Sequence, residues 1–134
     1  MILADSSVWI DFLRSLQTWQ TFRLKELLAS EEVLMGDLIL LEILQGYKSD
    51  REAGRVETLL KPLDVIEIGG RSLVLEAARN YRLLRRSGIT VRSTIDTLIA
   101  TRCIADGLIL LHGDRDFLPF ERELGLSVER QATH

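Results

Sequence analysis

Leu108-Ile109-Leu110-Leu111 is apolar at every position. A strand with one face in water alternates apolar and polar residues. A strand with no polar position is buried on both faces, as in a parallel sheet covered by helices. Met1–Ala4 and Val33–Met35 have the same character, Asp64–Ile68 alternates, and Leu126–Val128 offers a last short strand. Between these runs the apolar residues recur at helical spacing. Ser6 or Ser7 is placed to cap a short helix through Phe12 and Leu13. Further helices are expected from Thr18 to Ala29, from an Asp37 N-cap through Leu44, from Asp50 to Leu60, from Ser72 to Ser87, from Ser93 to Ala105 and from Phe117 to Leu124. In the fifth of these seven, Leu73, Ala77, Tyr81 and Leu84 form one stripe, and Gly88 falls where a C-cap belongs. Pro62 and Pro119 are read as marking the ends of helical patterns. Strands alternating with helices specify an α/β sandwich around a parallel sheet.

A length of 134 residues, with no linker, repeat or low-complexity tract, fits one domain spanning 1–134. Hydrophobic residues at 46% and charged residues at 28% exclude a disordered chain, a collagen-like repeat and a disulfide scaffold. No apolar run is long enough for a membrane span, and Asp5 interrupts any signal-like start. The one cysteine, Cys103, sits among helical apolar residues and reads as core, so a reducing, cytoplasmic setting is expected.

Several carboxylates stand in apolar company. Asp5 ends the first strand. Glu42 lies among Leu38, Ile39, Leu40, Leu41, Ile43 and Leu44. Asp96 precedes Leu98-Ile99-Ala100, and Asp114 and Asp116 follow the Leu108–Leu111 strand. Sites on open α/β sheets form at the carboxyl ends of the strands, where Asp5 and Asp114 fall. Each acid also fits a structural role. Asp5 is placed to cap a helix, Asp96 to share a capping box with Ser93, Asp114 or Asp116 to cap the last helix, and Glu42 to lie on an exposed helix face. If the acids converge, their repulsion calls for protons or a cation. Two charges about 4 Å apart repel by about 4 kcal/mol at an effective dielectric near 20. An all-oxygen set without histidine or cysteine selects Mg²⁺ or Mn²⁺ over zinc and suits phosphoryl chemistry.

Four segments, in order, resemble a known family. Ile2-Leu3-Ala4-Asp5-Ser6-Ser7-Val8-Trp9-Ile10 resembles the start of a PIN domain of the VapC toxin type. So do Leu41-Glu42-Ile43-Leu44-Gln45-Gly46, Ile95-Asp96-Thr97-Leu98-Ile99-Ala100 and Gly113-Asp114-Arg115-Asp116-Phe117. The resemblance covers essentially the whole chain. It implies a three-layer, Rossmann-like α/β/α sandwich with a five-stranded parallel sheet. It also implies a Mg²⁺- or Mn²⁺-dependent endoribonuclease that acts as the toxin of a toxin–antitoxin pair. By the same resemblance Asp5, Glu42, Asp96 and Asp114 are the catalytic, metal-holding acids. Asp116 is a further acid of the last motif, and Ser6 or Ser7 orients a carboxylate or a water. The partners implied are RNA, a VapB-type antitoxin and a second copy of the chain. Many relatives carry Thr or Ser with Asn just before the fourth acid. Here those places hold His112 and Gly113, which leaves His112 as a substitute of undefined role.

RNA must approach an acidic site on a chain of net charge −3. Arg79, Arg82, Arg85, Arg86 and Arg92 follow one another with no acid between them. Such a run suits phosphate contacts that give position and affinity without reading sequence. A solvated helix face or a grip on an acidic protein partner would use the same residues. Trp9, Phe12 and Trp19 read as core or as a protein interface. Two other functions remain open from the residues alone: another Mg²⁺-dependent nuclease or phosphatase, and a non-catalytic PIN-like binding module. A substrate panel separates the first from a ribonuclease, and Mn²⁺ binding separates the second.

Overall fold

The computed structural model describes residues 1–132. Four parallel strands form the sheet: β1 (Ile2–Ala4), β2 (Val33–Gly36), β3 (Val65–Ile66) and β4 (Ile109–Leu111), in the order β3-β2-β1-β4. The register pairs Leu3 with Leu34 on one side and with Leu110 on the other. Both central strands are buried, as their all-apolar sequences require. The fifth strand expected at Leu126–Val128 shrinks to a single parallel bridge between Leu110 and Val128. β3 is likewise shorter than expected, because Asp64, Glu67 and Ile68 fall outside the ladder.

Seven helices surround the sheet: α1 (Ser6–Leu13), α2 (Trp19–Ala29), α3 (Asp37–Gln45), α4 (Asp50–Leu60), α5 (Arg71–Arg86), α6 (Thr94–Asp106) and α7 (Leu118–Leu124). α1 packs on α2 and α3, and α3 on α4; α5 packs on α6 and α7. The chain moves outward through β1, β2 and β3, then returns past β1 to β4. Right-handed crossovers therefore put α1–α4 on one face and α5–α6 on the other. The direction of travel reverses between β1 and β4, which opens a crevice at their carboxyl ends. No helix among the described residues is long and apolar enough to cross a membrane.

The core runs through both layers and includes Leu3, Trp9, Leu24, Leu27, Ile39, Ile99, Leu110, Phe117 and Phe120. Trp9 is buried edge-on against Phe12. Cys103 is buried too, and burial pushes its thiol up to about 12.

Four local expectations are corrected. Asp5, not Ser6 or Ser7, caps α1, because its side chain accepts the Val8 N–H. Asp37 is the first residue of α3 rather than its cap. Its Oδ1 accepts the N–H groups of Leu38 at 2.7 Å and Ile68 at 2.8 Å, so it ties α3 to the turn after β3. Pro119 lies in the first turn of α7, where a missing N–H costs nothing, and does not end a helix. The α5 stripe is Leu73, Ala77, Asn80 and Leu84, with Tyr81 only half-buried.

Candidate active site

Asp5 leaves β1 directly into α1. Its backbone N–H donates to the Leu111 carbonyl at 3.0 Å, so the ends of β1 and β4 are stitched together at this residue. The residue is only 4% exposed. Ser7 Oγ donates to both carboxylate oxygens, at 2.9 and 3.0 Å, and Val8 N–H donates to Oδ1. Burial pushes the Asp5 carboxyl up to about 7 against these hydrogen bonds, helped by the charges of Asp96 and Asp114.

Asp96 occupies the first turn of α6. Ser93 caps that helix and accepts the Asp96 N–H at 3.2 Å. Burial lifts the Asp96 carboxyl to about 6, followed in weight by the charges of Asp114, Glu42 and Asp116. Asp114 caps the short 3₁₀ turn Arg115–Phe117, its Oδ1 accepting the Asp116 N–H at 2.9 Å. One ligand oxygen from each of Asp96, Asp114 and Asp116 falls within 4.8 Å of the others. Glu42 projects from α3 with Oε1 buried and without a hydrogen-bond partner among the described residues.

Capping and clustering are therefore the same arrangement. An aspartate that caps a helix at the end of a parallel strand points its carboxylate across the carboxyl ends of the sheet. The structural roles weighed for Asp5 and Asp114 coexist with convergence, and at Asp96 the cap is Ser93. The tightest triad is Asp96, Asp114 and Asp116. Asp5 and Glu42 stand outside it but act on the same charges. Asp116, expected as an auxiliary acid, brings a carboxylate oxygen within 4.8 Å of those of Asp96 and Asp114. Ser7 orients the Asp5 carboxylate, while Ser6 makes no such contact among the described residues.

The donor set fits a hard divalent cation. It is all oxygen, two of its carboxyls are held well above their ordinary range, and one buried glutamate oxygen lacks a partner among the described residues. A cleft of about 720 Å³ lies elsewhere, at the start of α5, and none of the five acids lines it.

Two residues at this site gave little sequence signal. Gln20, on α2, lies with Nε2 3.2 Å from where a Cβ on Gly113 would sit. Nothing in its local pattern marks it, because 93 residues separate the pair. His112 accepts the Asp114 N–H at Nδ1, at 3.1 Å, and burial lowers its pKa.

Arg79, Arg82, Arg85, Arg86 and Arg92 are all exposed. Arg79 pairs with Glu76, and Arg85 lies 5.7 Å above the Tyr81 ring. Arg82, Arg86 and Arg92 have no ion pair among the described residues. On α5, Asn80 Nδ2 donates to Thr101 Oγ1 of α6 at 3.1 Å, and Arg82 lines a cleft with Thr94, Thr97 and Leu98 of α6. Arg82, and Arg92 two residues before Thr94, therefore lie towards the end of α6 that carries Asp96.

Residues 2–122 match the family model of the PIN domain. The chain is also 34% identical over 119 residues to the VapC ribonuclease Mb1587 of Mycobacterium bovis. The match covers 87% of this chain and 89% of that protein. The chain belongs to the VapC family of PIN domains. Ribonuclease VapC11 of Mycobacterium tuberculosis matches this PIN domain with the same identity and the same coverage. Solved structures agree on the fold. VapBC2 from Rickettsia felis, bound to a DNA fragment from its promoter, superposes with a TM-score of 0.73 at 20% identity over 96% of this chain and 98% of that chain. FitAcB from Neisseria gonorrhoeae gives 0.72 at 17% identity over 98% of each chain.

Proposed function

We propose that this VapC-family chain is a metal-dependent endoribonuclease, the toxin of a toxin–antitoxin pair, built as a single PIN domain over 1–134. The observation that carries the reading is the convergence of Asp96, Asp114 and Asp116 beside Asp5 and Glu42, on a chain 34% identical to VapC ribonucleases. Asp5, Asp96, Asp114 and Glu42 would hold Mg²⁺, or Mn²⁺ in its place. Asp116 holds Asp114 in position and adds charge. Ser7 keeps the Asp5 carboxylate turned towards the crevice, and Ser6 stands beside it. A divalent cation in this site lowers the pKa of an attacking water and neutralises charge on the phosphate oxygens. Without a cation the surrounding acids would repel an RNA phosphate. Hydrolysis breaks the P–O3′ bond and leaves a 3′-hydroxyl and a 5′-phosphate. Arg79, Arg82, Arg85, Arg86 and Arg92 hold the RNA backbone on either side of the scissile phosphate.

The partner that restrains the enzyme is a VapB-type antitoxin, in line with the VapBC complex among the structural neighbours. The exposed apolar residues Val74, Leu75 and Leu83 of α5 and Leu41 of α3 give protein partners, including a second copy, something to cover. The setting is the cytoplasm, where RNA and antitoxin meet the toxin.

The test is RNA cleavage by purified protein freed of partner, in Mg²⁺, Mn²⁺ and EDTA, with Asp5→Asn and Asp96→Asn alongside. Cutting in either metal, lost in EDTA and in both variants, is expected. Cutting that persists in EDTA overturns the metal reading. Folded, metal-loaded protein that cuts no RNA favours a binding module.

A further inference from the structure

A chain of contacts runs from the protein surface to the acid triad through His112. Arg130 Nη2 donates to Glu121 Oε1 at 2.9 Å. Glu121 Oε2 lies 3.5 Å from His112 Nε2, with both side chains only 10% exposed. His112 Nδ1 accepts the Asp114 N–H at 3.1 Å. The imidazole rests against Phe117, ring centroids 4.9 Å apart at 52°. An imidazole that accepts at Nδ1 carries its proton on Nε2, and that nitrogen faces Glu121. One ring orientation and one tautomer thus satisfy both neighbours.

We infer that His112 is a positioning residue: its Nδ1 fixes the main chain of Asp114, so that the Asp114 carboxylate meets those of Asp96 and Asp116. The inference rests on the metal-site reading above. The need for such a brace is local. Gly113, between the two residues, is exposed and has no side chain to hold the peptide. Among the described residues, Asp114 is gripped at its carboxylate only by the Asp116 N–H, from the same turn. Without the imidazole, the main chain of Asp114 has no anchor to the body of the protein at its own amide. A metal site tolerates about 0.5 Å of ligand displacement, so this looseness matters.

Three substitutions separate positioning from packing. In His112→Asn, the amide oxygen takes the place of Nδ1 but falls short of Glu121. In His112→Gln, the amide reaches towards Glu121 and leaves the Asp114 N–H unpartnered. His112→Phe keeps the ring against Phe117 and loses both polar contacts. Mn²⁺ affinity is followed by electron paramagnetic resonance of free Mn²⁺, together with kcat and KM for RNA cleavage and thermal unfolding. His112→Gln and His112→Phe are expected to bind Mn²⁺ about 10-fold or more weakly and to lose kcat rather than KM, with His112→Asn within about 3-fold of wild type. A purely packing role gives the reverse order, with Phe best and Asn worst, and overturns the inference. Equal Mn²⁺ affinity in wild type and all three variants overturns it as well. Wild-type protein that binds no Mn²⁺ overturns the metal reading and this inference together. Amide hydrogen exchange needs no variant: a protected Asp114 N–H is expected, and one exchanging at the rate of free peptide overturns the inference.

Discussion

Asp5 holds a carboxyl at about 7 in a nearly water-free place, and Asp96 holds one at about 6. Both start from 3.8 in an unfolded chain. Between about pH 4 and 7 the folded protein therefore keeps protons that the unfolded chain has released. The stability contributed by these two groups is complete below about pH 4 and is lost as pH rises through about 6 and then 7. Above that, the folded state carries buried like charges. Asp5→Asn removes one of them and keeps a good helix N-cap. In chelator at pH 8 it is expected to unfold at a higher temperature than wild type, by an amount worth about 1–4 kcal/mol. A calorimetric scan at pH 8 and again at pH 4.5 checks this, since the gain should shrink at the lower pH. Added Mg²⁺ or Mn²⁺ should stabilise wild type more than the variant. In the same variant, cleavage is expected to fall at least about 100-fold, the upper end for disturbing groups around a metal.

Asp37 shows how an element is held by a residue with no part in the chemistry. Its Oδ1 accepts two backbone N–H groups, one from α3 and one from Ile68 beyond β3. Asp37→Ala strands the Ile68 N–H and is expected to cost about 1–3 kcal/mol by urea unfolding. Gly36 sits beside it for a steric reason. A Cβ there would fall 2.1 Å from Ile68 Cδ1 and 3.1 Å from Ile39 Cδ1, both in buried side chains. Gly36→Ala is expected to cost about 1–3 kcal/mol, and less in an Ile68→Ala background, where the space has been cleared. Neither effect was legible in the sequence. The aspartate after Val33–Met35 looks like an ordinary cap, and its real partner is 31 residues away. Helix spans and buried strands were legible because apolar periodicity records burial directly. Leu126–Val128 reads as a strand but makes a single bridge, because apolar character marks a place at the sheet and not the length of its ladder. The acids were legible as misplaced charges and through the family motifs. Their division was not: that Asp116 rather than Asp5 closes the tightest triad depends on one 3₁₀ turn, which no spacing announces. Asn80 was invisible for a similar reason, since its partner Thr101 lies on another helix.

At the scale of the whole molecule, charge is divided between an acidic crevice and an arginine-bearing end of α5. In an Asp96→Asn background that leaves RNA intact, Arg82→Ala, Arg86→Ala and Arg92→Ala are each expected to weaken RNA binding. Each should flatten the slope of log affinity against log salt by about 0.7, the value for one contact to a single strand. Fluorescence anisotropy across a salt series reads this directly, and an unchanged slope for all three removes the arginines from the RNA path. The lone bridge between Leu110 and Val128 bears on a different property, solubility. β4 would otherwise present free N–H and C=O groups along one margin of the sheet, a template for any extended peptide. The Leu110 N–H donates to Ser127, and the Leu110 carbonyl accepts from Glu129. Arg23–Glu129 and Arg130–Glu121 ion pairs pin this segment down. On the opposite margin, β3 offers only two residues. The tail after Gly125 thus acts as a bumper against strand-to-strand aggregation, and a chain ended there is expected to self-associate under light scattering before it loses its helices by circular dichroism.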